Sequence, residues 1–200
     1  MLHQHKSYAK CMLFGAHAIL RGASALACPL QQYHCEIQWR PNPQQTGISL
    51  PTIKDSKLTA QLQAFLQHAL QKANIAASNF TGELHIKNTI PIASNLGSSA
   101  ALCLNISRLF CELGFFQASQ QHAFATHCEH FFHGTSSGFD IKALSCPSKH
   151  ILLYHQHRYD IVHPLWHPPL YLLASTKKAS TQTAIATVAQ WQQQQWDRGK

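Results

Sequence analysis

Three stretches carry residue types that can do chemistry together. In 91-PIASNLGSSAAL-102, small, donor-rich residues stand between a β-friendly run and an apolar-periodic segment. The first N–H groups of a helix have no intrahelical partner. Gly97 removes a side chain from the turn, and Ser98 and Ser99 set hydroxyls beside those amides. Such a turn can cradle a phosphate. The helix macrodipole adds only about 0.3–1 kcal/mol at a surface site, so the amide donors must supply most of the binding. The stretch has neither the Gly-Lys-Ser/Thr of a Walker A loop nor the G-x-G-x-x-G of a dinucleotide site. Close helix packing with a serine cap is the alternative reading.

The second stretch is 129-EHFFHGTSSGFD-140. Glu129 ends a helical pattern and Asp140 opens the next element, with a glycine-bounded turn between them. Two carboxylates there can meet over one polar site. One can join a magnesium ion, whose other ligands are usually phosphate and water, and the other can take or orient a hydroxyl proton. The alternative, two solvated carboxylates, is weakened by scarcity, since the chain has only eight acidic residues. In the third stretch, 9-AKCMLFGAHAILRG-22, a strand carries Lys10 and ends at Gly15, with His17 beyond. Lys10 beside a carboxylate or phosphate can stabilise negative charge during transfer; a lysine guarding a strand edge is the alternative.

The elements that must position these residues follow from periodicity. Strands are expected at 7–14, 33–39, 82–90, 150–155, 158–163 and 169–175, by alternation. The segment 41-PNPQQTG-47 is a loop. Leu58, Leu62, Phe65, Leu66, Ala69 and Leu70 give an amphipathic helix over 58–73. Further helices are expected over 98–113, stopped by Gly114, over 119–132, and over 181–196. The order mixes strands and helices without regular βαβ alternation and without an internal repeat, which predicts an α+β fold rather than a doubly wound sheet.

Composition narrows the classes. Two hundred residues suit one domain, or one and a fragment. The 45% hydrophobic content is that of a globular chain. No run of 18 apolar residues suggests a membrane span, and the N-terminus does not read as a secretory signal, so a cytoplasmic location is expected. Seven scattered cysteines with no C-x-x-C pair read as reduced core residues. The net charge of +8 favours anionic partners, but no basic stripe interleaved with aromatics points to nucleic acid. The histidine-rich 127-HCEH-130 matches no zinc-protease pattern.

Taken in order, the three stretches resemble the GHMP kinases, and among them the mevalonate kinases most closely. The segment 10-KCMLFGAHAILRG-22 is similar to the family's K-x-x-L-x-G-E-H-A-V-x-x-G. The segment 91-PIASNLGSSAA-101 is similar to its phosphate loop, P-x-x-x-G-L-G-S-S-A-A, and 133-HGTSSGFD-140 with Glu129 upstream to H-G-x-P-S-G-x-D with its preceding glutamate. The resemblance covers roughly residues 5–185. It implies a two-layer α+β domain over 1–175, a mixed β-sheet packed with helices, followed at 176–200 by the start of a truncated second domain. It implies ATP phosphates along Ser94, Asn95, Leu96, Gly97, Ser98, Ser99 and Ala100, and Mg²⁺ held by Ser99 (or Ser98) and Glu129. Asp140 and Lys10 are the implied catalytic pair. His17, Ser137 and Gly138 are the implied contacts to mevalonate.

Three departures bear on these expectations. Ala16 stands where the family has glutamate, which removes a polar contact near the substrate. Asn95 stands for a loop glycine; asparagine is the best tolerated replacement where φ is positive. Ser136 replaces proline and is expected to loosen the turn before Asp140. Family members are also longer, with a glycine-rich motif in a second domain. An isolated chain is therefore expected to be poorly active, or to self-associate as a homodimer through apolar surface left facing water. Another GHMP kinase, such as a phosphomevalonate kinase, and a non-catalytic nucleotide-binding remnant are the alternative functions.

Overall fold

A computed structural model of the chain describes residues 1–15, 19, 23–134, 136–147, 149–155, 158–165, 171–172, 187 and 190–191. Along the chain come β1 (His3–Phe14), β2 (Ala25–Pro41), β3 (Ile48–Ser49), α1 (Ser56–Lys72), β4 (Gly82–Asn88), α2 (Ser98–Glu112), α3 (Gln121–His133), α4 (Phe139–Leu144), β5 (Ile151–His155) and β6 (Arg158–Val162). The strands make one six-stranded sheet in the order β3-β4-β2-β5-β6, with β1 also paired to β2. The fold is α+β, as the irregular order of elements predicts.

The long β2 organises the sheet. It runs antiparallel to β1 from the pair His3–Trp39 to the pair Phe14–Leu26. Its C-terminal half also pairs with β4, and Ala25–Ala27 pair with β5. β1 begins at His3, earlier than expected. Its first residues do alternate in burial, but His3, His5 and Ser7 supply the inward face, so no apolar periodicity marks it. β2 likewise starts at Ala25 rather than near 33. Pro29 interrupts its pattern, and the register slips between the pairs Tyr8–His34 and Ala9–Leu30, leaving extra β2 residues at that point.

Helix α1 starts where Asp55 accepts a hydrogen bond from the Leu58 N–H at 2.7 Å, an N-cap that satisfies one orphan donor. Helix α2 is the centre of the molecule. From Ala100 to Phe110 every residue except Arg108 is buried. Its apolar residues share one core with Ala9, Ile37, Trp39 and Leu84 of the sheet and with Phe65, Leu66 and Cys128 of α1 and α3. Trp39 stacks on Phe80 with ring centroids 4.0 Å apart. Among the described residues Asn105 is the buried side-chain amide, and both its oxygen and its nitrogen are bonded. It accepts from Ser7 Oγ at 2.7 Å and donates to the Cys35 carbonyl at 2.9 Å, which locks α2 to both β1 and β2. A smaller core, built from Ala25, Ala27, Phe139, Ala143, Leu152 and Tyr154, seats α4 against β2 and β5.

All seven cysteines are free thiols. No helix among the described residues is long and apolar enough to cross a membrane. The strand expected over 169–175 and the helix expected over 181–196 fall almost wholly outside the described residues, as does the expected domain start at 176–200.

Candidate active site

Lys10 sits at the meeting point of the three stretches. Its backbone N–H donates to the Leu96 carbonyl at 3.0 Å, tying β1 to the loop before α2. Its ammonium nitrogen lies 2.9 Å from Asp140 Oδ1. The lysine side chain is 4% exposed and the aspartate 31%, so the cation is buried and the carboxylate reaches solvent. The edge-guard reading of Lys10 is thereby excluded, because a guard stays in water.

The loop from Pro91 to Gly97 is wound by three residues at positive φ, Ala93 (60°), Asn95 (59°) and Gly97 (82°). Asparagine at 95 therefore occupies a left-handed position, the setting in which it is best tolerated. A Cβ on Gly97 would come within 3.3 Å of Lys10 Cγ. Glycine is thus demanded here by the lysine stem and the backbone angle, a reason within the protein rather than the approach of a phosphate alone. Gly97 is itself the N-cap of α2, and no side chain caps the helix. The serine-cap alternative fails on this point: Ser98 and Ser99 lie inside the first turn, and the helix mouth keeps its donors. Ser94 Oγ donates to the Pro91 carbonyl at 2.6 Å. Ser98 Oγ accepts from Asn88 Nδ2 at 3.0 Å, which fastens the helix start to the end of β4. Leu96 is buried and Ala100 is buried in the core.

Ser99 turns the other way. Its hydroxyl pairs with His133 Nε2 at 2.9 Å, one helical turn beyond Glu129 on α3. Glu129 is only 2% exposed. One of its oxygens accepts a short hydrogen bond from Ser136 Oγ. Burial pushes the Glu129 carboxyl up to about 7, and the negative charge of Asp140 adds to the rise; the Ser136 bond and Lys10 oppose it. Burial, with the Lys10 charge, lowers His133, against the pull of Asp140, and so favours the neutral ring.

Ser136 corrects an expectation. In place of loosening the turn, its hydroxyl also accepts the Gly138 N–H at 3.1 Å, so one side chain joins the end of α3 to the start of α4. Gly138 is required: φ is 72°, and a Cβ would meet Thr126 Oγ1 at 2.9 Å. Ser137 Oγ accepts the Phe139 N–H at 3.3 Å. These contacts aim Asp140, the second residue of α4, at Lys10. His17 and Ala16 lie outside the described residues. Asn88, His133 and Ser136 are site-building residues to which their types alone assigned no such contact. The four-residue spacing of Glu129 and His133, which sets both on one face of α3, was the available signal for His133.

Lys10, the mouth of α2, Ser99, Glu129 and Asp140 therefore converge on one polar site. Residues 60–146 match the family model described as "GHMP kinases N terminal domain". Over that segment the chain is similar to the GHMP kinase N-terminal domain. Solved structures with this fold include the L. major mevalonate kinase in complex with R-mevalonate, at TM-score 0.66 and 22% identity, covering 98% of this chain and 64% of that one. The Methanococcus jannaschii mevalonate kinase aligns at TM-score 0.61 and 17% identity over 80% of this chain and 55% of its own. The Lactococcus lactis galactokinase complexed with galactose aligns at 0.61 and 19% over 80% and 47%. The chain thus spans between about half and two thirds of the length of these structures. No curated protein matches it in sequence. The matched segment contains the loop from Pro91, Glu129 and Asp140; Lys10 lies outside it and reaches it through Leu96 and Asp140.

Proposed function

We propose that this chain is a GHMP kinase domain and serves in transferring the γ-phosphoryl group of ATP to the hydroxyl of mevalonate. The observation that carries the reading is the buried Lys10 ammonium 2.9 Å from Asp140, set against the uncapped mouth of α2. Phosphoryl transfer is chiefly positioning and charge neutralisation. The free amides at Ser98, Ser99 and Ala100, with the loop from Ser94, suit the phosphates. Asp140 orients the acceptor hydroxyl and takes its proton as the new O–P bond forms and ADP leaves. Lys10 holds the Asp140 carboxylate and stabilises the ionised hydroxyl. Ser137, Gly138 and His17 are assigned to the acceptor side of the site.

Glu129 and Ser99 fit a magnesium ion. Both offer hard oxygen ligands, few in number, as expected where phosphates and water complete the shell. A carboxyl pushed to about 7 by burial and a neighbouring acid is also a group that a divalent cation would restore to its charged form. When bound, the ion supplies charge neutralisation between the phosphates. Among the described residues no group of three or more His, Cys, Asp or Glu is placed to hold a metal ion.

The test is a coupled ADP-release assay with mevalonate, phosphomevalonate and galactose. Turnover on mevalonate, lost in Asp140→Asn while nucleotide binding persists, is the expected result. Absence of nucleotide binding in the wild-type protein sinks the proposal. A second acceptor class, a sugar, is kept in the panel because the galactokinase aligns at the same TM-score as the Methanococcus jannaschii mevalonate kinase.

A further inference from the structure

A cavity of about 410 Å³ opens beside β1, and neither Lys10 nor Asp140 lines it. Its walls are Lys6, Ser7 and Tyr8 of β1, the irregular part of β2 near Gln31, Arg108 of α2, and the segment leaving α4 at Ser145. No carboxylate is among its lining residues, although two cations are.

Arg108 is the one residue from Ala100 to Phe110 of α2 that is not buried. Its Nη1 donates to the Lys6 carbonyl and to Ser7 Oγ, both at 2.9 Å. That grip fixes the plane of the guanidinium. Its Nη2 and Nε make no hydrogen bond to the described residues, and none of the ion pairs among them involves Arg108. A half-buried guanidinium without a counter-charge is costly unless something supplies one.

The strand edge adds a donor. The Lys6 carbonyl bonds to Arg108 and the Lys10 N–H bonds to Leu96, so both groups point away from β2. Backbone direction alternates along a strand, so Tyr8, midway between them, turns its N–H to the same open edge. Tyr8 lines the cavity. Lys6 lies with its ammonium 5.1 Å from the Tyr8 ring centroid, which keeps it at the rim.

We propose that this cavity binds a small phosphoryl oxyanion of the size of phosphate or pyrophosphate, with Arg108 as its anchor. The free face of the guanidinium offers paired donors of the kind that match such an anion. The Tyr8 N–H and the Lys6 ammonium complete the cradle. The site is separate from the helix mouth assigned to nucleotide, and its occupation does not depend on the kinase reading.

The test is calorimetric titration of the full chain with pyrophosphate, in the presence of a chelator and at low salt. Arg108→Gln is expected to weaken binding by about 10-fold or more, and Lys6→Gln by roughly 3-fold. Lys6 is exposed, so its variant folds even if loss of the Arg108 bridge to β1 destabilises the other. Three results overturn the proposal. One is no heat of binding by the wild-type chain at about 5 mM pyrophosphate. Another is binding that survives both substitutions, which assigns the anion to the mouth of α2. The last is tighter binding of succinate than of pyrophosphate, which makes the site one for carboxylates.

Discussion

Strand β1 carries two acid–base contacts of opposite character. Near its start, His3 and His5 reach Glu112 at the end of α2, with distances of 3.0 and 2.7 Å. Near its end, Lys10 meets Asp140 at 2.9 Å. The distances are alike and the environments are not. Glu112 is 44% exposed; hydrogen bonding to His3, the largest effect, lowers its proton affinity against an opposing burial cost, and hydrogen bonding to His5 lowers it further. Burial chiefly lowers His5 and keeps it neutral over more of the pH range. Water screens that cluster, and it contributes little to stability. Lys10 is enclosed, so its partner cannot be removed without leaving a cation in an apolar setting. The contrast indicates that geometry alone does not rank ion pairs: the enclosed one is placed at the helix mouth and the loop glycine, where a fixed charge can act on a ligand.

Substitution at the two ends tests this contrast. Asp140→Asn is expected to have the largest effect. It keeps the shape, strands the Lys10 charge, and should lower turnover by roughly 10²–10³-fold, a loss typical of removing one charge-stabilising group. Steady-state kinetics beside nucleotide binding checks it; a variant with near-normal turnover would remove the chemical meaning of the buried pair.

Glu129→Gln comes next. The folded carboxyl sits at about 7, above its ordinary 4.5, so the folded protein holds a proton that the unfolded chain has released. Stability from this group therefore falls as pH rises from 4.5 through 7, by on the order of 3 kcal/mol in full. In metal-free protein the glutamine variant should lack that fall. Urea unfolding of both proteins at pH 5 and pH 8 measures it, and parallel pH dependences would contradict the burial argument.

Gly97→Ala should cost about 1–2 kcal/mol for a side chain at positive φ. It should also displace Lys10, whose Cγ would lie 3.3 Å from the new methyl group. A thermal melt with parallel kinetics tests both, and an unchanged melting temperature would show that the loop adapts freely. The smallest effect belongs to Glu112→Gln, roughly 0.2–1 kcal/mol. Because the folded Glu112 carboxyl is lowered, its contribution is present above its ordinary value and is lost as pH falls through the lowered one. Urea unfolding at neutral pH measures it, and a loss well above about 1 kcal/mol would erase the distinction between the two ends.

The sequence made some of this legible and hid the rest for identifiable reasons. Helix α1 was readable from Leu62, Phe65, Leu66, Ala69 and Leu70, because one face of it packs on the core. Helix α2 was readable from Gly97 to Gly114 even though it is buried almost all round, since its length and stop signals suffice. The first halves of β1 and β2 were not: histidine, serine and alanine face inward there, and Pro29 breaks the pattern. At the site, the loop glycine, Asp140 and Glu129 were readable from motif and scarcity. The Ser136 bridge was not, because a serine in a turn carries no sign of which acid it will meet.

Local chemistry is written in the chain itself: positive-φ positions need Gly97 and Asn95, Asp55 opens a helix, and apolar spacing fixes which face is buried. The pairing of β1 with β2 brings Lys10 from residue 10 to Asp140 at residue 140. Proton affinity was likewise a tertiary matter. Glu129 holds its proton to about 7 because packing removes water and sets Asp140 nearby. Contacts between distant residues, and the dielectric around them, exist only once the chain has closed on itself.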